Sequence, residues 1–185
     1  MKNKRLICFI TAVALIISGV LSISLTAVAG TVSFDYEPES ATLTVKGSGD
    51  ILDYKENDLK SRPWNVYRDE TKHIVISDGI TSVGSYSFAQ FKYTQTVELP
   101  NSVKSIGEAS FAGCNKLLEL TVPDSVETVG DYAFGFNDQM ETPQGFVAHC
   151  STKSAAQAYC FRNNIMFDSP MDSMSTTAHI TKSDE

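Results

Sequence analysis

The sequence predicts a mainly β solenoid with short helical segments. Three observations carry that expectation: short apolar runs of period two, a glycine and a phenylalanine that each recur every 23 residues, and turn residues at matching places in each unit. With 185 residues, 42% of them apolar, the chain can bury one core but not comfortably two, so a single domain with tails is expected.

Residues 1–29 are set apart from that domain. Lys2, Lys4 and Arg5 make a basic start, 6–25 is mostly apolar, and Ala27-Val28-Ala29 supplies small residues before a cleavage point. This is the pattern of a secretory signal peptide, with a mature chain beginning near Gly30; an uncleaved membrane anchor is the alternative. Cleavage would leave 12 basic against 22 acidic residues, a net charge of −10 in place of −7. That balance disfavours nucleic acid and, once the signal is gone, an anionic membrane as partners, because both require a basic face. It suits a secreted, extracellular or cell-surface protein.

The repeats occupy residues 73–142. IVISDGITSVGSYSFAQF from Ile74, VELPNSVKSIGEASFAGC from Val97 and LTVPDSVETVGDYAFGFN from Leu120 superpose without a gap. Gly84, Gly107 and Gly130 form one column, and Phe88, Phe111 and Phe134 another. Three aliphatic columns keep the same step: Ile76, Leu99, Val122; Ile80, Val103, Val126; and Val83, Ile106, Val129. A period in the twenties is that of a leucine-rich-repeat solenoid, so three 23-residue coils are expected. The first apolar triplet of each coil alternates as a half-buried strand, and Pro100 and Pro123 close it because proline cannot donate to a ladder. A second extended piece follows. The glycine then permits a backbone turn that a side chain would obstruct, and the phenylalanines stack as the spine of the core.

The end pieces are expected to be caps. In the N-terminal cap, 30–72, alternating Leu43 and Val45, then Ile51 and Tyr54, flank Gly47-Ser48-Gly49, which reads as a β-hairpin; Arg62-Pro63-Trp64 and Tyr67 follow beside the first coil. The C-terminal cap, 143–168, reads as strand, helix and strand: GFVAHC, a helix from Ser154 with Ser151 or Ser154 as N-cap and Asn163-Asn164 as its stop, then Ile165-Met166-Phe167. Residues 169–185 are polar and are expected to be a disordered tail.

Taken together, these residues resemble the BspA-like (Treponema pallidum type) leucine-rich-repeat proteins, in which P-x-S-V-x-x-I-G-x-x-A-F-x-x-C recurs. VELPNSVKSIGEASFAGCNKL at 97–117 carries the likeness. LTVKGSGDILDY with RPWNVY resembles the segment that precedes such repeats, and CSTKSAAQAYCFRNNIMF their ending, so roughly 34–167 is covered. The departures are Ser77 and Gly79 where the other coils carry proline and serine, and Phe91 and Asn137 where the second carries Cys114. The resemblance implies a secreted or surface-displayed bacterial protein whose role is binding or adhesion.

Catalytic chemistry is not expected, nor a cofactor or a metal. The histidines are His73, His149 and His179. His149-Cys150 with Cys160 matches no common zinc spacing, and neighbours on a strand point to opposite faces. Cys150 and Cys160 are a candidate disulfide, with two buried apolar side chains as the alternative, while Cys114 is expected to be a core thiol. Asp50, Asp53, Glu56 and Asp58 lack calcium-loop spacing and read as a solvated loop. The candidate ligand face is the outward side of the first strand of each coil: His73, Val75, Thr96, Glu98, Glu119 and Thr121. The expected role is a non-catalytic protein–protein interaction or adhesion module whose partner is a host or bacterial surface protein or a surface glycan. A structural, self-assembling repeat domain is the second reading, and a secreted hydrolase the third.

Overall fold

The computed structural model describes residues 32–169, together with the backbone of β1 (Leu25–Thr26). The remainder of the expected signal peptide and the tail from 170 onward lie outside the described residues. β1 pairs antiparallel with β2 (Ser33–Glu37), and β2 pairs antiparallel with β3 (Thr42–Lys46).

From β3 onward the chain winds, and every ladder between successive coils is parallel. β3, β5 (His73–Ile76) and β7 (Thr96–Glu98) lie side by side on one face, with His73 opposite Thr96 and Ile74 opposite Val97. The same face continues through β9 (Glu119–Thr121), β11 (Val147–His149) and β12 (Met166–Asp168). A second parallel sheet is made by β4 (Gly49–Asp50), β6 (Ile80–Val83), β8 (Ser105–Ile106) and β10 (Thr128–Val129), again in a 23-residue register from Ser82 to Ser105 to Thr128. Two short 3-10 helices, Glu56–Ser61 and Asn65–Tyr67, and one α-helix, α1 (Ala155–Asn163), complete the described elements. Ser154 caps α1 by accepting from the Gln157 amide at 3.1 Å, and Asn164 ends it in the left-handed conformation.

The hairpin sits elsewhere than the glycines suggest. Its turn is at 38–41, and Gly47 and Gly49, both at positive φ, instead turn the corner from the first sheet into the second. An isolated hairpin and a solenoid corner require the same flexible backbone, so the residues alone do not separate them.

The interior is one buried cluster in which the expected ring stack runs through Trp64, Phe88 and Phe111, while Phe134 packs on Phe146 and Tyr159. Phe88, Phe111 and Phe134 are buried, and the Phe88 and Phe111 rings stack at 5.5 Å with 8° between planes. Trp64 extends that stack below Phe88, at 5.4 Å and 18°. Of the aliphatic columns, Ile80, Val103 and Val126 are fully buried, whereas Leu99 and Val129 are only partly so.

The recurring glycines do not adopt left-handed backbone. They allow coils to touch: a Cβ on Gly84 would lie 2.2 Å from the Leu52 carbonyl oxygen, on Gly107 2.5 Å from the Ser85 nitrogen, and on Gly130 2.5 Å from the Glu108 nitrogen. Left-handed backbone falls instead on Tyr86, Ala109 and Tyr132 at the 23-residue step, and again a few residues on at Gln90, Gly113 and Gly135. The departures in the first repeat are also steric. Ser77 donates its amide to Val45 O at 2.8 Å, which proline could not do, and a Cβ on Gly79 would meet Gly47 O at 2.5 Å. Where serine does stand, its hydroxyl reaches back one coil, Ser102 to Ile80 O and Ser125 to Val103 O, each at 2.8 Å.

On the third side of each coil, amides donate forward. Tyr86, Phe88 and Gln90 donate to the carbonyls of Glu108, Ser110 and Ala112, and Ala109, Phe111 and Gly113 to those of Asp131, Ala133 and Phe136. The first coil therefore presents Ser85, Ser87 and Ala89 carbonyls with no earlier repeat to serve them. The Tyr54 amide takes Ser85 O at 2.8 Å, the Trp64 indole takes Ser87 O at 2.9 Å, and the Arg62 guanidinium takes Ala89 O at 2.8 Å and Tyr86 O at 3.0 Å. Arg62 is 2% exposed, and it also donates to Leu59 O, the Asn65 side-chain oxygen and, at 3.5 Å, Ser87 O; burial lowers its pKa to about 10, still well above neutrality.

Candidate functional site

All six candidate ligand residues lie on the outer side of the first face. Register places them in two rows across the strands. One runs Thr42, His73, Thr96 and, beyond β7, Glu119, Val147, Met166; the other runs Thr44, Val75, Glu98 and then Thr121, His149, Asp168. Alternation along each strand produces this, since the residues between them, Leu43, Ile74, Val97, Leu120 and Ala148, are buried. Sequence spacing missed Thr42, Thr44, Val147, His149, Met166 and Asp168. Their strands are offset by 31 residues from Leu43 to Ile74, 28 from Leu120 to Ala148 and 19 from Ala148 to Phe167, so a search at one period passes over them.

The polar groups on this face are organised in pairs. His73 Nδ1 lies 2.8 Å from Thr96 Oγ1. His149 is held from both sides, with Nδ1 at 2.5 Å from Asp168 Oδ1 and Nε2 at 3.7 Å from Glu119 Oε2. β7 and β9 are neighbours without a ladder between them, whereas β5–β7 and β9–β11 are both paired. A shallow depression of about 190 Å³ opens at this break, lined by Thr96, Val97, Glu119, Thr121 and His149.

A histidine oriented by an aspartate is half of an acyl-transfer site, but here the second ring nitrogen faces a carboxylate instead of a nucleophile. Cys150, next to His149 in sequence, is buried on the opposite side of the strand. Cys114 is also buried: its thiol sits 3.5 Å from Phe88 O in another coil, and burial pushes its pKa up to about 12. The structure carries Cys114, Cys150 and Cys160 as free thiols. Among the described residues no group of three or more His, Cys, Asp or Glu side chains is placed to hold a metal ion, and no helix is long and apolar enough to cross a membrane. Two acids of the 50–58 segment act as staples to the first coil: Asp50 accepts from the Thr81 hydroxyl at 2.6 Å and Asp53 from the Ser85 amide at 2.6 Å.

Fold and face together define a parallel-strand solenoid with one broad polar surface, of the kind built from leucine-rich repeats. The sequence matches the BspA type leucine rich repeat region in six copies over residues 66–179, and the chain belongs to that family. No curated protein matches it. Similar solved structures include a leucine-rich repeat protein from Eubacterium ventriosum, with 20% identity and a TM-score of 0.49 over 66% of this chain and 36% of that one. The T. pallidum leucine-rich repeat protein shares 13% identity, with a TM-score of 0.36 over 64% of this chain and 68% of its own. The pneumococcal vaccine antigen PcpA shares 15% identity, with a TM-score of 0.36 over 74% of this chain and 45% of its own. The chain thus spans little more than a third of the Eubacterium protein.

Proposed function

We propose that the chain is a secreted or surface-exposed bacterial module that binds a protein or surface glycan without catalysis, using the outer rows of its broad sheet. Three 23-residue coils form its centre, and the flanking segments close them as caps. The observation that carries this reading is the continuity of the two rows, in which the hairpin strand β3 and the C-terminal strands β11 and β12 align with the repeat strands. A specific protein interface covers about 800 Å² per partner. The face approaches that size only when Thr42 and Thr44 at one end and His149 and Asp168 at the other join the repeat residues.

The test is an extracellular protein and glycan screen with the full chain, followed by affinity measurement on each binder for Glu98→Arg with Thr121→Arg. The expected result is at least a tenfold loss for the double variant, with unfolding unchanged. Unaltered affinity would move the site off this face.

One observation favours a self-assembling role as the second reading. Phe161, 65% exposed, packs on Phe167 of β12, and Met166, 60% exposed, is in β12, which among the described residues pairs with β11 alone. Light scattering over a concentration series decides it, a monomer throughout removing this reading.

A further inference from the structure

We propose that Cys150 and Cys160 join in a disulfide that clips the end of β11 to α1 once the chain meets an oxidising compartment. Cys150 follows β11 directly, and its amide donates to Asp168 O at 3.0 Å, which fixes it at the end of the β11–β12 ladder. Cys160 lies on α1, and its carbonyl accepts from the Ile165 amide at 3.0 Å, where the chain turns back toward β12. Both side chains are buried in the same core cluster, and each thiol shifts the pKa of the other. Cys114 is held against Phe88 O in a different coil, so a single pairing is open among these three cysteines.

The two thiols act on each other's ionisation. The thiol of Cys160, with smaller contributions from Ser154 and His149, lowers the Cys150 pKa against burial and the charge of Asp168, which both raise it. Donation to Cys150 and burial raise that of Cys160. Either thiol can start the exchange as the thiolate; with Cys150 first it runs through a mixed disulfide. The oxidant is an organic disulfide. Cys150 Sγ bonds to one of its sulfurs, the oxidant's S–S bond breaks, and the other sulfur leaves with the electron pair and takes a proton. Cys160 then gives its proton to solvent, its Sγ attacks Cys150 Sγ, and the second sulfur leaves as a thiolate. Two protein thiols are oxidised by two electrons, and the oxidant becomes two thiols. Because both sulfurs are buried in the folded protein, exchange precedes the seating of α1 or accompanies its local opening.

The inference presumes the export proposed above only for its timing, and the experiment supplies the oxidant itself. Full-length protein is refolded with glutathione and glutathione disulfide, quenched with N-ethylmaleimide, digested without reductant and mapped by mass spectrometry. The expected product is a peptide pair linked through Cys150 and Cys160, with Cys114 alkylated, and the same link in Cys114→Ser. N-ethylmaleimide or glutathione on both Cys150 and Cys160, or a link from either to Cys114 or Cys8, overturns the proposal. A second reading uses melting: a phosphine reductant should lower the Tm of the oxidised wild-type chain and leave that of the Cys150→Ser, Cys160→Ser double variant where it is. Equal response of the two also overturns it. A protein that forms the link here yet proves not to be exported would fail the functional reading alone.

Discussion

The segments that flank the 23-residue repeats on either side solve opposite problems. On the side of the coil where amides donate forward, the first repeat is left with acceptors and the last with donors. The N-terminal end answers with groups that can only donate, the guanidinium of Arg62 and the indole of Trp64. The C-terminal end uses one hydroxyl: Tyr159 receives the Phe134 amide at 3.2 Å and donates to the Phe134 carbonyl at 2.8 Å, its ring 4.5 Å from that of Phe134. The lesson is that a parallel stack has polarity. Its closing residues are chosen by which half of the peptide group is left over, and hydrophobic cover alone would leave buried polar groups unpaired.

The contrast can be broken most severely at the N-terminal end. Arg62→Met keeps much of the apolar stem but strands the Ala89 carbonyl and leaves the Tyr86 carbonyl with the Ala89 amide alone, so a loss of about 2 kcal/mol in denaturant unfolding is expected, partly offset because a buried charge is also removed. Hydrogen exchange sharpens the point: amides of β3 and β5 should lose protection before those of β9 and β11. Uniform loss would mean that Arg62 supports the whole stack rather than its end. In the middle, Gly107→Ala drives a Cβ against the Ser85 backbone and should cost about 2 kcal/mol, with protection falling on both sides of the second coil. At the C-terminal end, Tyr159→Phe keeps the ring and removes the oxygen. The expected cost is about 1 kcal/mol, confined to β10, β11 and α1; a cost as large as that of Arg62→Met would erase the asymmetry.

The same polarity explains which parts of the molecule could be read from the residues. The 23-residue step was legible because each coil touches the next in constant register, so that Ile74, Val97 and Ser82, Ser105, Thr128 had to repeat. The outward placement of His73, Thr96, Glu98, Glu119 and Thr121 followed from alternation within those strands. The remainder of the face was hidden because β3, β11 and β12 join it at other intervals, and the Asp168–His149–Glu119 contact spans two of those irregular steps. Arg62 was hidden for another reason. An arginine is ordinarily read as surface, and only the unpaired carbonyls of the first coil make its burial worthwhile. The missing ladder between β7 and β9 has no sequence signature that distinguishes it from its paired neighbours.

The glycine column has a mechanical consequence. Because Gly84, Gly107 and Gly130 bring main chain against main chain, that edge is already at its minimum pitch and cannot be shortened by any change of side chain. Shape must then be tuned from elsewhere around the ring, through the bulk placed at Phe91, Cys114 and Asn137 and through the longer excursion between β10 and β11. A row of residues that carries no side chains thus acts as the fulcrum about which any bend of the rod is set.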